Sequence, residues 1–437
     1  MKSSLCLALL TALLTITASG APAPGAPGKL VVTVTNDLAL ARPAETISVP
    51  FAQIRSLLDP AHANPAQYWN TTRNVPLVRF DNLLVKDAAG KVVASQVTNL
   101  DTKGGRNYEY NDLLFQHDFA AGEKSATFTI EAVEGQVPPY PAKVYGRFVP
   151  DRLDDFAWEN DLIAHRIYGP ALELPSAGPD QMPVGGSGID VWSKRFSYFM
   201  IDRWYGKDHN ALHTETGEGL DMYETGQARG EGGLGIWDGE TLHVSRDFRT
   251  WKVLANGPLR LVFELGYEPW DAGNGVQVSE VKRFTMDAGH YLDQVQSTFT
   301  FTGANELTVG IGLTMHSNRG ETTGITPTTD EKNFWETLWE VYPTNGEMGV
   351  GVLLAPDAAF TGFAQSQKNL PASPGLRPDK LILAKVKSGV PLVYYSGAAW
   401  NQLGPVTTND QWTAYVGGWA QRLRSPLKVD VALAPAK

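Results

Sequence analysis

Apolar and polar residues alternate along most of the chain, the mark of strands that turn one face inward. Leu30 to Thr35 (LVVTVT), Thr46 to Val49, Leu77 to Phe80, Lys91 to Ala94 and Ser125 to Ala132 read as short strands. Asp87-Ala88-Ala89-Gly90 supplies a turn ahead of the fourth. Together they predict a small β-sandwich over residues 29–135. Gln136 to Pro141 (QVPPYP) is stiffened by three prolines and marks a boundary. Beyond it the strands lengthen, and in Leu259 to Leu265 every second residue is apolar. Leu292–Phe301, Glu306–Met315, Met348–Leu354, Leu381–Val386, Leu392–Tyr395 and Leu427–Leu433 continue the series. Helical period is confined to Asp330–Val341 and Asp410–Arg424, and the first also reads as an aromatic-rich loop.

The expected class is therefore all-β: a small N-terminal β-sandwich, then a large antiparallel β-sandwich over residues 142–437. A unit on the order of 300 residues exceeds an immunoglobulin-type domain of about 100. It fits a galactose-mutarotase-like super-sandwich, an oversized kind whose concave face binds sugars, although fold alone does not give function.

The start of the chain reads as an export signal. Lys2 precedes a short apolar run, Leu5 to Ile16, and small residues follow in Ala18-Ser19-Gly20-Ala21. The expected signal is residues 1–20, followed by a Pro/Gly/Ala linker over 21–28, so the mature protein is expected to be periplasmic or secreted. The run is too short to span a bilayer, which takes about 20 apolar residues, and no membrane insertion is expected. Cys6, the one cysteine, lies within the signal and leaves the mature chain without a disulfide, a thiolate metal site or a Cys nucleophile. Losing Lys2 moves the formal charge from -10 by one, to -11. An acidic surface without a basic stripe repels phosphate backbones, which argues against nucleic acid as a partner. The 12 Trp and 15 Tyr are enough to fill a core and still line a sugar cleft.

Polar residues crowd the middle of the chain. Trp158 to Pro170 (WENDLIAHRIYGP) holds two acids, a His, an Arg and two aromatics, and strand alternation puts Arg166 on the face opposite His165 and Ile167. Asp190-Val191-Trp192 and Asp202-Arg203-Trp204-Tyr205 follow, and then the polar stretch Lys207 to Asp221 with His209, His213 and four acids. His209 and His213 with Glu215 can also bind a divalent cation, although the spacing matches no standard zinc signature. Thr314-Met315-His316-Ser317-Asn318 ends a strand, and Phe334 to Glu340 and Tyr394 to Asn401 read as cleft walls. Each has a plainer reading: ion pairs for Asp161 with Arg166 or Asp202 with Arg203, and core packing for any one aromatic. Gly230 to Gly235 fits GxGxxG in form only and reads as a glycine-rich loop. Asn70-Thr71-Thr72 is a sequon in form only, and a GxSxG elbow is absent.

The joint set of motifs resembles domain-of-unknown-function family 4861 over roughly residues 30–435. The residues concerned are Trp158-Glu159-Asn160-Asp161, Arg166 to Leu172, Gly188 to Trp192 and Gly217 to Asp221. Ile236 to Gly239, Ala255 to Pro258 and Tyr394 to Trp400 complete the set. The resemblance implies an exported protein of polysaccharide-degrading bacteria. It also implies an activity linked to dehydration of a terminal uronic acid on oligosaccharides such as those from ulvan.

Removing water across C4 and C5 of a uronate needs a group to neutralise the carboxylate, a base for the C5 proton and an acid for the departing hydroxyl. Arg166, His213, Tyr223 and His316 can supply these parts, with His213 as the base and Arg166 on the carboxylate. Arg203, Trp192, Trp237, Arg260, Trp335 and Trp400 are the expected substrate-binding residues. No cofactor is required, a divalent cation is an option, and the expected partner is an acidic oligosaccharide. Three alternatives stand beside this reading. A polysaccharide lyase would use the same elimination. A glycosidase would use Glu215 with Asp221, or Glu336 with Glu340. A surface sugar-binding protein would use no catalysis at all.

Overall fold

The computed structural model describes residues 28–58, 82–100, 110–133, 137, 139–174, 187–207, 209–316, 322–366 and 377–435. The expected signal, most of the linker, the strand Leu77–Phe80 and the sequon at 70–72 lie outside these residues.

The protein is all-β, built as two sandwiches. In the N-terminal one, a sheet ordered Lys428–Leu433, Lys29–Thr35, Ser125–Ala132, Leu83–Asp87 and Val92–Val93 faces a three-stranded sheet. The latter is ordered Arg42–Pro50, Asp112–Phe119 and Ser95–Thr98. Leu30, Val32 and Val34 alternate inward from the first strand and meet Ile47, Val49, Phe115 and Phe128 in one core. The expected boundary of the large sandwich is corrected at its far end. Lys428–Leu433 pairs antiparallel with Lys29–Thr35, Val32 opposite Val431, and belongs to the N-terminal sheet.

The large sandwich has one eight-stranded antiparallel sheet, ordered Thr250–Asn256, Arg260–Asp271, Gln277–Asp287, Leu292–Phe301, Pro391–Trp400, Gly346–Leu354, Trp335–Tyr342 and Gly324–Asp330. Two five-stranded sheets form the facing layer. One is ordered Gly219–Tyr223, Asp190–Lys194, Ala164–Ile167, Asp155–Asn160 and Val144–Val149. The other is ordered Leu242–His243, Glu231–Trp237, Leu307–Thr314, Asp379–Val386 and Ala359–Gln365. A parallel bridge between Ile189 and Gly230 links the two. The apolar core between the layers is drawn from every one of these sheets, Phe156, Phe263, Phe284 and Val309 among its members.

Two expectations change here. Trp335–Tyr342 is a strand rather than a helix, buried on both faces because the C-terminal helix covers one side and the core the other. Glu231–Trp237 is a strand rather than a glycine-rich loop. The helix expected over 410–424 is present as Asn409–Arg424, and the Thr408 side chain caps its start by accepting from the Gln411 amide.

The WEND motif is spent on this framework. Trp158 Nε1 donates to Asp293 at 2.7 Å. Glu159 accepts from Lys194 Nζ at 2.6 Å and from the Met200 and Ile201 amides, fixing the short helix Ile201–Tyr205. Asn160 bonds the carbonyls of Asp287 and His290, and Asp161 accepts from the Gly289 amide.

Candidate functional site

Polar side chains concentrate on the first five-stranded sheet, and Arg166 lies at their centre. Its Nε and Nη2 donate to Asp190 at 3.0 and 2.5 Å, and Nη2 also reaches Asp221 at 3.2 Å. The guanidinium lies over the rings of Tyr168 and Trp192. Asp190 and Asp221 are as buried as Arg166 itself. Burial and the Asp190 charge push the Asp221 carboxyl well above the usual carboxylate range, against the pull of Arg166. Nη1 also lies 4.0 Å from Asp155, so one cation faces three buried acids and balances them only when two hold protons. The fork expected to hold a substrate carboxylate is therefore filled by the protein's own acids.

His213 sits one step outward. It follows the one-turn helix His209–Leu212, is exposed, and places Nδ1 3.0 Å from the backbone carbonyl of Asp221. A carbonyl only accepts, so Nδ1 carries the proton and Nε2 is the basic nitrogen. Gly219 lets the chain return to the sheet: its φ is +119°, and a Cβ there would lie 1.9 Å from the Ser193 carbonyl oxygen.

Charged groups line the same rim. Glu215 takes the Gly217 and Gly219 amides on one oxygen and Arg195 Nε on the other at 2.9 Å. Arg195 also reaches Gln402 and lies over Trp400. Glu218 binds Arg203 at 2.5 Å and Lys207 at 2.8 Å, and it accepts from Tyr198. Phe196 and Tyr198 stack in parallel with both rings exposed. Nothing in the sequence marked out Arg195 or this aromatic pair, because neither stands in a motif.

Tyr223 and His316 come together as an edge-on ring pair at 4.6 Å, but both are buried. His316 Nδ1 is 2.8 Å from Glu340 and Nε2 is 3.0 Å from the Glu224 carbonyl. Burial lowers the basicity of this imidazole, yet the charge and hydrogen bond of Glu340 outweigh it and the net shift is upward. An imidazolium donating from both nitrogens fits these partners and is not poised to take a proton. Tyr223 bonds to the Gly230 carbonyl, and burial raises its phenol well above the usual range.

The remaining expected residues scatter. Trp192 and Trp335 are buried, the first against Trp204 and the second in the cluster under the C-terminal helix. Trp400 is buried, with Nε1 on the Asn345 carbonyl and its ring under Arg195. Trp237 is half-buried at the end of its strand. Arg203 is exposed on the rim, and Arg260 lies on the outer face of the eight-stranded sheet, paired with Asp287. Glu336 and Glu340 stand four residues apart on a strand, which spaces them about 13 Å apart. That exceeds the 5–10 Å of a glycosidase pair. Among the described residues, no group of three or more His, Cys, Asp and Glu side chains is arranged to hold a metal ion. The His209 side chain lies outside the described residues.

Beneath the rim, His165 is enclosed between Glu231 and Asp293. Its Nδ1 is 3.0 Å from Glu231, out of line for a hydrogen bond, and Nε2 is 3.9 Å from Asp293. Burial pushes the Asp293 carboxyl up to about 7, although His165 and Trp158 pull it down. A carboxyl whose folded pKa is raised adds stability at low pH, and that stability is lost as pH rises through about 7. The melting temperature is thus expected to fall as pH rises between the ordinary carboxylate value of 3.8 and about 7, and to fall less in Asp293→Asn. Parallel melting curves for the two proteins across that range would rule Asp293 out as a source of the slope.

A family model described as "Domain of unknown function (DUF4861)" matches residues 34–429. The chain is 31% identical over 414 residues to "Uncharacterized protein P7" of Formosa agariphila, covering 92% of this chain and 93% of that protein. Two solved structures from Enterococcus faecalis match at 9% identity. They are a protein in the glycosyl hydrolase family 38 (TM-score 0.45) and an alpha-mannosidase (TM-score 0.46), each match covering 92% of this chain. The chain spans 47% and 46% of their lengths, so much of each has no counterpart here.

Proposed function

Because this chain belongs to the DUF4861 family, we propose that it is a carbohydrate-active carbon–oxygen lyase. It removes water from the non-reducing-end uronic acid of an acidic oligosaccharide and leaves a 4,5-unsaturated sugar. The observation that carries this reading is His213, an exposed imidazole whose proton is fixed on Nδ1 by the Asp221 carbonyl. That tautomer makes Nε2 a base, on a rim that also presents arginines and two stacked aromatic rings.

In this mechanism His213 Nε2 takes the C5 proton, and the electron pair forms the C4–C5 double bond. The C4–O bond breaks, and the hydroxyl leaves as water once protonated. No electron acceptor is needed. Arg195 and Arg203, rather than Arg166, would meet the substrate carboxylate, and Arg166 would hold Asp221, whose carbonyl orients His213, in place. Tyr198 is an exposed phenol able to protonate the leaving hydroxyl, and partial desolvation together with the bond to Glu218 raises its pKa, which keeps it in the acid form.

Purified protein is expected to convert glucuronate-terminated oligosaccharides to products with the absorbance of a conjugated enoate and a mass lower by one water. Neither signal across ulvan-, pectin- and glucuronan-derived substrates would refute the reading. The same chromophore with shortened chains would instead indicate a lyase that cleaves glycosidic bonds.

A further inference from the structure

We propose that the cavity between the N-terminal sandwich, the outer face of the eight-stranded sheet and the C-terminal helix binds a neutral pyranose residue. This is a second saccharide site. It requires no chemistry, and it stands apart from the His213 rim and from the lyase reading.

The cavity encloses 330 Å³, near the lower end of the ~300–1,000 Å³ typical of ligand pockets. That gives room for one sugar ring rather than a chain. Its floor is laid out by strand register: Arg283 lies opposite Gln296, and Thr285 lies opposite Gln294, which in turn faces Tyr395. Directly opposed side chains stand about 5 Å apart, close to the spacing between hydroxyls around a ring.

The floor offers hydrogen bonds that the protein does not use. The Gln296 and Thr285 side chains bond to nothing else among the described residues. Arg260 spends Nε and Nη2 on Asp287 at 2.6 and 2.7 Å, and Arg283 spends the same pair of nitrogens on Glu264. Each keeps Nη1 as a donor. Gln294 gives its amide N–H to the Tyr395 hydroxyl at 2.7 Å and keeps its carbonyl oxygen as an acceptor.

The N-terminal sandwich supplies the opposite wall. Glu45 Oε2 makes no hydrogen bond but lies 3.4 Å from Arg422 Nη1, and Asp112 accepts from Ser48 on one oxygen. Both can take sugar hydroxyls. Trp419 projects from the C-terminal helix, half-buried, and gives the apolar face that pyranose C–H groups favour.

The balance of charge selects a neutral ligand. The cations at the cavity are already paired: Arg260 with Asp287, Arg283 with Glu264, and Arg42 and Arg422 with Glu45. His290 adds no charge, because burial favours its neutral form. A uronate carboxylate would find no unpaired cation there among the described residues. A neutral ring, which both donates and accepts, finds partners of both kinds.

Isothermal titration of the full chain tests this with glucose, galactose, mannose, xylose, rhamnose, glucuronate and galacturonate. At least one neutral sugar is expected to bind wild type and His213→Ala alike, and to bind Gln296→Ala and Thr285→Val about tenfold more weakly. Melting curves of the two cavity variants are expected to match wild type, since neither side chain holds another. The proposal is overturned if no neutral sugar binds, if a uronate binds more tightly than every neutral sugar, or if the cavity variants bind as wild type does. Loss of turnover in His213→Ala leaves these binding results untouched, so the two readings fail separately.

Discussion

Replacing His213 by alanine is expected to lower kcat by about 10²- to 10⁴-fold, the usual worth of a general acid–base residue, with little change in substrate binding. The ring is exposed, with Nδ1 bonded to the Asp221 carbonyl and 3.9 Å from the Asp221 carboxylate, outside the buried Arg166 cluster. A loss confined to kcat follows from a group that acts on the C5 proton. A loss confined to KM would assign His213 to binding instead. The pH profile adds a second reading, because a histidine base is active when neutral and the acidic limb of kcat should vanish in the variant. A folded His213→Ala protein with near-normal turnover would remove it from the mechanism.

Arg166→Met is expected to destabilise the protein by about 3–5 kcal/mol, the cost of stranding buried charge. Arg166 is the counter-ion of Asp190 and Asp221, and all three are buried. Arg166→Lys keeps the charge but lacks the fork that serves both carboxylates, so it should recover only part of the stability. Denaturant melts of the three proteins measure this. If Arg166→Met melts within about 1 kcal/mol of wild type, below even the cost of one unpaired buried group, while losing acidic-oligosaccharide binding, Arg166 is the substrate clamp after all.

The strands with one wet face were legible, and those without one were not. Lys29–Thr35 alternates because one side meets solvent. Trp335–Tyr342 lies under the C-terminal helix on one face and over the core on the other, so it shows no period-2 signal and reads as a helix. Glu231–Trp237 reads as a loop for a different reason. A Cβ at Gly232 would lie 2.4 Å from that of Ser396, so glycine is what lets this strand approach the facing sheet. The site was legible in its residue types but not in their pairing. Arg166 and His316 look like free functional groups in sequence, yet their carboxylate partners Asp190 and Glu340 stand 24 residues away in each case. Sequence proximity could not disclose that both were already engaged.

The pairing of Lys428–Leu433 with Lys29–Thr35 makes the large sandwich an insertion within the small one. The first strand of the chain must wait for the last before its sheet has an outer neighbour. Until then it presents an unpaired edge, the feature that invites association between chains. Assembly is thus ordered: the large unit can close on itself early, while the N-terminal unit is completed late, through contacts of very long sequence separation that slow folding. Until its C-terminal strand is made, every growing chain carries that open edge, so strand Lys29–Thr35 is where premature association between chains would begin.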